Sequence, residues 1–401
     1  MSTAYRVISA DTHLQPAPEA WSPRVPEMYR DRAPRTIRLP NGTDAELIEG
    51  RALHVYLGGM CGKAYPERSP IGGTFDGTPG GGPPQQRLRE QDLDGVDAEI
   101  IFAGASGISD WRGIRDNGAY RAIIHAYNEY LAEEYCAFSP DRLIGMGMIP
   151  DTGLDDALAE MEYCARAGLK GVCLNRFPTG KAVPTLEDDR FWAAALDMNM
   201  PLTVHVAFGG AEGRGSRVDW SYKHDPVEVA SGVDAFSKYA KFGFRGGVTA
   251  TQLVFSGAFD RFPKLRFYLA ENQIGWIPNF LDQMDDQYER HSYWAERLLE
   301  MKRLERPPSE YVREHFWWGF MRNPYGVRAR HEIGVGHVMW GSDFPHAETD
   351  WPYSQKVIDE SFVGVPEDEK YAMLAGNAIE YFDLDAERPV TPQAAAVTAS
   401  A

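Results

Sequence analysis

Cysteine is scarce in this 401-residue chain, which has only Cys61, Cys136, Cys164 and Cys173, none of them in a CxxC pair. That excludes a disulfide-stapled scaffold and gives no zinc-finger spacing, so four buried, reduced thiols in a cytoplasmic protein are expected. No run of about 18 apolar residues occurs, so no membrane span is expected. The N-terminal MSTAYRVISADTH lacks a basic stretch followed by an apolar one, so no secretory signal is expected. Positive charge is also short: 41 Lys and Arg face 58 Asp and Glu, a net charge of −17. Nucleic acid is bound by positive surfaces, so it is not expected as a partner, and neither is a membrane. Short-period repeats are missing, and so is a Gly-rich phosphate loop after an early strand, which argues against an open dinucleotide-binding sheet.

What is present is an alternation of short apolar runs with longer amphipathic ones. Strands are expected at Arg6–Ala10, Ala98–Ala103, Leu143–Ile149, Gly171–Asn175, Pro201–Val206, Leu265–Ala270, His315–Phe320 and His337–Gly341, most followed by a helical pattern. Eight such units predict an α/β fold, a distorted (β/α)8 TIM barrel. Length alone would allow two or three domains, but barrels run long as single units. We expect one barrel domain over 1–385. Pro/Gly-rich insertions at about 16–85 and 208–255 would fold over its C-terminal face, and a flexible tail would occupy 386–401.

Barrel chemistry sits at the C-terminal ends of the strands. There the sequence puts Asp11 and His13 after the first strand, His205 on the fifth, Glu271 and Asn272 after the sixth, and Ser342, Asp343 and His346 after the eighth. Residues i and i+2 share a strand face, so Asp11 and His13 project together. Singly, each has a duller reading: Asp11 and Asp343 as turn or cap residues, His205 as a core histidine. Together, two imidazoles and two carboxylates suit one divalent ion held by Asp11, His13, His205 and Asp343, with zinc expected first and manganese as the alternative.

The runs Ile8-Ser9-Ala10-Asp11-Thr12-His13, Asp94-Gly95-Val96-Asp97, Arg261-Phe262-Pro263-Lys264-Leu265, Trp340-Gly341-Ser342-Asp343-Phe344-Pro345-His346 and Gly376-Asn377-Ala378 resemble the amidohydrolase superfamily. The resemblance is to the amidohydrolase-2 branch, which includes aminocarboxymuconate-semialdehyde decarboxylase and γ-resorcylate decarboxylase, and it spans about residues 6–385. It implies the distorted barrel, a metal bound through Asp11, His13, His205 and Asp343, Asp343 as catalytic base, and a homodimer or larger assembly. One departure stands out. Decarboxylases of this branch carry a histidine after the sixth strand, whereas this chain has Ala270-Glu271-Asn272-Gln273. A carboxylate donates a proton to carbon poorly unless its pKa is raised.

The first expectation is therefore a metal-dependent hydrolase, with Asp343 as general base toward water and Glu271 and His346 as further catalytic groups. The substrate would be a small cyclic or carboxylated molecule. The alternative is a non-oxidative decarboxylase of an aromatic or enoic acid at the same site. Arg176, just past the fourth strand, and His54, in the first insertion near Arg51, are the candidate substrate-binding residues. Trp317-Trp318 reads as core.

Overall fold

The computed structural model describes residues 5–56, 58–69, 71–105, 107–108, 111–209 and 244–386; at 51–55 only the backbone path is described. Eleven strands occur among them: β1 (Ile8–Leu14), β2 (Arg35–Arg38), β3 (Asp44–Ile48), β4 (Arg51–Val55), β5 (Ala98–Ala103), β6 (Leu143–Met148), β7 (Gly171–Cys173), β8 (Leu202–His205), β9 (Phe267–Ala270), β10 (Phe316–Phe320) and β11 (Val338–Trp340). Eight form one parallel sheet in the order β1-β5-β6-β7-β8-β9-β10-β11. Its two ends meet where Thr12 pairs with Phe344, the His13 N–H donates to the Phe344 carbonyl at 2.7 Å, and the Asp343 N–H donates to the Asp11 carbonyl at 2.9 Å. The fold is a (β/α)8 barrel.

Both strand faces are apolar because both are covered. Ile8, Ala10, Ile100, Phe102, Met146 and Met339 fill the interior. Ile101, Val172, Leu202, Leu269 and Trp318 pack outward against helix residues such as Ile123, Tyr127 and Trp192. Trp317 and Trp318 therefore serve two different cores. Helix boundaries follow local chemistry. The Asp116 side chain accepts from the Ala119 N–H at the start of Asn117–Tyr130. The helix Pro84–Asp94 ends at Gly95 in the left-handed conformation, which needs no Cβ. All four cysteines are buried and unpaired. Among the described residues, no helix is long and apolar enough to cross a membrane.

Two elements differ from expectation. The first insertion is not a structureless loop, because β2, β3 and β4 form an antiparallel sheet. Its β3–β4 hairpin turns on Glu49 and Gly50, both at positive φ (48° and 78°), as a two-residue hairpin needs. The sequence pattern over Glu367–Phe382 predicts one closing helix, but the stretch is broken into Glu367–Tyr371, a wide π turn at Ala372–Gly376, and Asn377–Tyr381. After the wide turn, Asn377 Nδ2 donates to the carbonyls of Val335 and Val338 at 2.8 and 2.7 Å. Of the second insertion, the helix Arg245–Phe255 is described, while 210–243 and the tail from 387 lie outside the described residues.

The first insertion lies against the loop after β11. Arg68 donates to the carbonyls of Ala347 and Thr349, and the Tyr65 hydroxyl donates to Asp350 Oδ1 at 3.1 Å.

Candidate metal centre

Strict alternation along β1 would put Asp11 and His13 on the face opposite Ile8 and Ala10. The ladder with β5 prevents this. Ser9 pairs with Glu99 and Thr12 with Ile101, so β1 spends one residue more than β5 over this stretch. This bulge switches the alternation. Ile8 and Ala10 remain in the interior core, and Asp11 and His13 also face inward, above them.

Three strand exits complete the site. Val206, Glu271 and Asp343 follow β8, β9 and β11 with φ of 61°, 56° and 52°. Left-handed backbone is uncommon away from glycine and an outlier for a β-branched residue such as Val206, so these exits are held under strain. Asn272 holds two of them: its Nδ2 donates to the Val206 and Ala270 carbonyls, and its Oδ1 accepts from the Gly246 N–H.

The side chains converge. His13 Nε2 lies 3.2 Å from Asp343 Oδ1 and 3.6 Å from Asp11 Oδ1. His205 Nε2 lies 3.5 Å from Asp11 Oδ1 and 3.3 Å from Glu271 Oε2. His346 Nδ1 lies 2.9 Å from Asp343 Oδ1, and its ring stacks on His13 with centroids 3.8 Å apart. Ligand atoms of Asp11, His13 and His205, of His13, Asp343 and His346, and of Asp11, Glu271 and Asp343 lie within 4.8 Å of one another in each set. All six residues are buried.

The donor chemistry fits a cation. His13 Nδ1 lies 2.7 Å from the Ala103 carbonyl, which can only accept, so the proton sits on Nδ1 and Nε2 presents a lone pair. That lone pair faces two carboxylates. Both oxygens of Asp11 and of Asp343, and Nε2 of His13, His205 and His346, are buried with no hydrogen-bond partner. Lone pairs gathered this way repel unless a positive ion stands among them.

Burial, with His346 and His205 nearby, lowers His13 to about 4. Burial would raise Asp343, but His346 and His13 outweigh it and hold the carboxyl well below its usual range. Burial opposes protonation of His346, and the adjacent Asp343 carboxylate overcomes this and raises it. Burial, then the charges of Asp343 and Asp11, push Glu271 well above the carboxylate range.

The structure thus brings together Asp11, His13, His205, Glu271, Asp343 and His346. It puts Arg176 elsewhere in its contacts: its Nε lies 3.1 Å from Asp151 Oδ2, and Arg112 Nε lies 2.5 Å from the other oxygen of that carboxylate. Arg51 and His54 lie on β4, where side chains are not described. Ser342 turns away from the ligands to bond Ser9, its N–H donating to Ser9 Oγ at 2.8 Å. Gly341, part of the Trp340–His346 run, also has a packing role that the run does not reveal. A Cβ there would come within 2.6 Å of Asp11 Cβ, so the close approach of these two backbones depends on it.

The family model described as Amidohydrolase, of the amidohydrolase-2 type, matches residues 10–384, and the chain belongs to that family. Among its relatives, the γ-resorcylate decarboxylase of Polaromonas sp. (strain JS666) is 23% identical over 282 residues, covering 66% of this chain and 78% of that one. The crystal structure of an amidohydrolase from Mycobacterium avium subsp. paratuberculosis K-10 superposes with a TM-score of 0.71 at 18% identity, covering 95% of this chain and all of that one. A dihydroxybenzoic acid decarboxylase from Polaromonas sp. JS666, solved with manganese and 2-nitroresorcinol, gives 0.59 at 18% identity, with 95% and 97% covered. The chain is thus an enzyme of a family whose named relatives include decarboxylases, one of them solved with bound manganese. The named decarboxylases back the alternative expectation, decarboxylation, better than the first, hydrolysis.

Proposed function

We propose that the protein is a metal-dependent, non-oxidative decarboxylase of a hydroxylated aromatic acid. The observation that carries this reading is the set of buried, unpartnered ligand atoms on Asp11, His13, His205 and Asp343. Manganese is the proposed ion ahead of zinc, because carboxylate-rich sets suit it and a related decarboxylase was solved with it. When bound, the ion supplies a Lewis acid that holds the substrate's oxygens and stabilises charge developing on them.

The chain's own residues manage the proton. The substrate's C–COO⁻ bond breaks to release carbon dioxide, and the electron pair stays on the ring carbon. That carbon takes one proton from the protein, and solvent supplies another to recharge the donor. His346, whose Nδ1 lies 2.9 Å from Asp343 Oδ1 with both side chains buried, is the proposed proton donor. Glu271 stands where the decarboxylases that this chain resembles carry a histidine. His346 supplies an imidazole within the same cluster, so a proton donor to carbon is present without a histidine at position 271. Arg176, paired with Asp151 by its Nε, remains the proposed cation for an anionic substrate, with its Nη atoms left to reach it.

The test is incubation of the manganese-loaded protein with 2,6-dihydroxybenzoate and a panel of related hydroxybenzoates, following carbon dioxide and the phenol product. Stoichiometric release of both is expected. Cleavage of cyclic esters or amides without carbon dioxide release from any acid would return the reading to hydrolysis.

A further inference from the structure

Arg87, on the helix Pro84–Asp94, is 1% exposed. An unpaired guanidinium at that depth would be very costly, and Glu99 of β5, itself 3% exposed, neutralises it with Nε to Oε2 at 2.5 Å. The remaining donors go to two carbonyls on different segments. Nη1 donates to His13 O at 3.1 Å, and Nη2 reaches Phe344 O at 3.5 Å. The guanidinium also lies over the Phe344 ring, 4.4 Å from its centroid.

Those two segments are the edges of the barrel seam, and each carries a member of the site: His13 itself, and Asp343 next to Phe344. Elsewhere around the barrel, neighbouring strands are joined by ladders of two or more paired residues. Here a single pair, Thr12 with Phe344, stands in place of a ladder. The 3.2 Å separation of His13 Nε2 and Asp343 Oδ1 therefore depends on how this short junction is held.

We propose that Arg87, neutralised by Glu99, is a positioning residue that clamps the seam and so sets the His13–Asp343 spacing for the metal. This rests on the metal reading above. A planar fork can reach Glu99 and two separate carbonyls at once, which a lysine ammonium cannot do with the same geometry. Residues that orient ligands from behind typically change metal affinity 10–100-fold when replaced.

The test is calorimetric titration of Mn²⁺ into the metal-free full chain, with the Mn²⁺ EPR line shape as a second readout. The variants are Arg87→Lys and the apolar pair Arg87→Met with Glu99→Leu. Replacing a buried ion pair by apolar side chains is often close to neutral for folding, so the double variant should keep its urea midpoint. The lysine variant, which retains the charge pair, serves if the double variant does not fold. At least tenfold weaker Mn²⁺ binding and a changed line shape are expected in the folded variants. Affinity within twofold of wild type in a folded variant overturns the proposal, since a merely structural role would lower stability and leave affinity alone. A wild type that takes up no Mn²⁺ removes the metal reading itself, and the clamp with it.

Discussion

His346 Nδ1 stands 2.9 Å from Asp343 Oδ1, three residues away on the same loop, with both side chains buried. Each shifts the other: Asp343 raises His346, and His346 holds Asp343 down. The pair therefore persists as imidazolium and carboxylate beyond the pH at which a free histidine loses its proton. If this proton is the one delivered to carbon, decarboxylation falls as pH rises through the raised His346 pKa. His346→Gln should lower kcat by about 10²–10⁴-fold, as loss of a general acid does, remove the alkaline limb, and leave KM within a few-fold. Steady-state carbon dioxide release from pH 5 to 9 checks this. A variant that keeps a third of wild-type kcat would exclude His346 as the acid.

Metal binding should register as stability. A ligand that binds only the folded state adds about 2.7 kcal/mol at a hundredfold excess over Kd. Mn²⁺ should therefore raise the melting temperature of the metal-free protein, and chelator should reverse the rise. Asp11→Asn, which removes a charged oxygen placed 3.5 Å from His205 Nε2 and 3.6 Å from His13 Nε2, should abolish most of the shift. Metal content by mass spectrometry gives the independent reading: one ion per wild-type chain, and much less than one in the variant after desalting.

His13 gives the metal-free protein an acid-sensitive window. Burial lowers it from 6.5 to about 4 in the folded state. Between those values the unfolded chain binds the extra proton, so stability rises with pH across the window and is lost as pH falls through it. The gap corresponds to about 3 kcal/mol. Glu271 acts in the opposite sense, because its folded form keeps a proton that the unfolded chain releases as pH rises above the ordinary glutamate pKa of 4.5. Comparing wild type with His13→Gln separates the two. Between pH 7 and 4 the wild-type urea midpoint should fall further than that of the variant, and parallel curves would show that His13 contributes nothing to the slope.

The strands were legible because each is a short apolar run between helical patterns, and burial on both faces leaves that mark. Asp11, His13, His205 and Asp343 were legible as polar residues at the ends of such runs, where apolar cover gives them no solvent. Their common orientation was only half visible. Spacing puts Asp11 and His13 on one face, but only the bulge between Ser9 and Thr12 turns that face inward, and a bulge has no fixed residue signature. Arg176 looked free on its loop because its partner Asp151 is 25 residues away in sequence, and such pairing leaves no local pattern. The sheet in the first insertion was hidden because β2–β4 are four or five residues long and mix charge with apolar residues. Glu99, a charge inside Ala98–Ala103, was the one local hint of the buried pair with Arg87.

Gly341 offers the sharpest test of how closely the seam must approach. Its N–H donates to the Phe320 carbonyl at 2.9 Å, so β10 holds its backbone in place. A Cβ at this position would meet Asp11 Cβ at 2.6 Å and Asp11 N at 2.9 Å. Neither contact is the end of a flexible side chain, so relief must come from moving Asp11 or opening the junction. Gly341→Ala should therefore cost about 1–3 kcal/mol, as forced overpacking does, and should weaken Mn²⁺ binding together with activity. Gly336→Ala is the control, because an added Cβ there meets no atom within 4 Å. Urea unfolding of the metal-free proteins and Mn²⁺ titration measure the two effects separately. Wild-type affinity in Gly341→Ala would mean that Asp11 reaches the metal without this close approach.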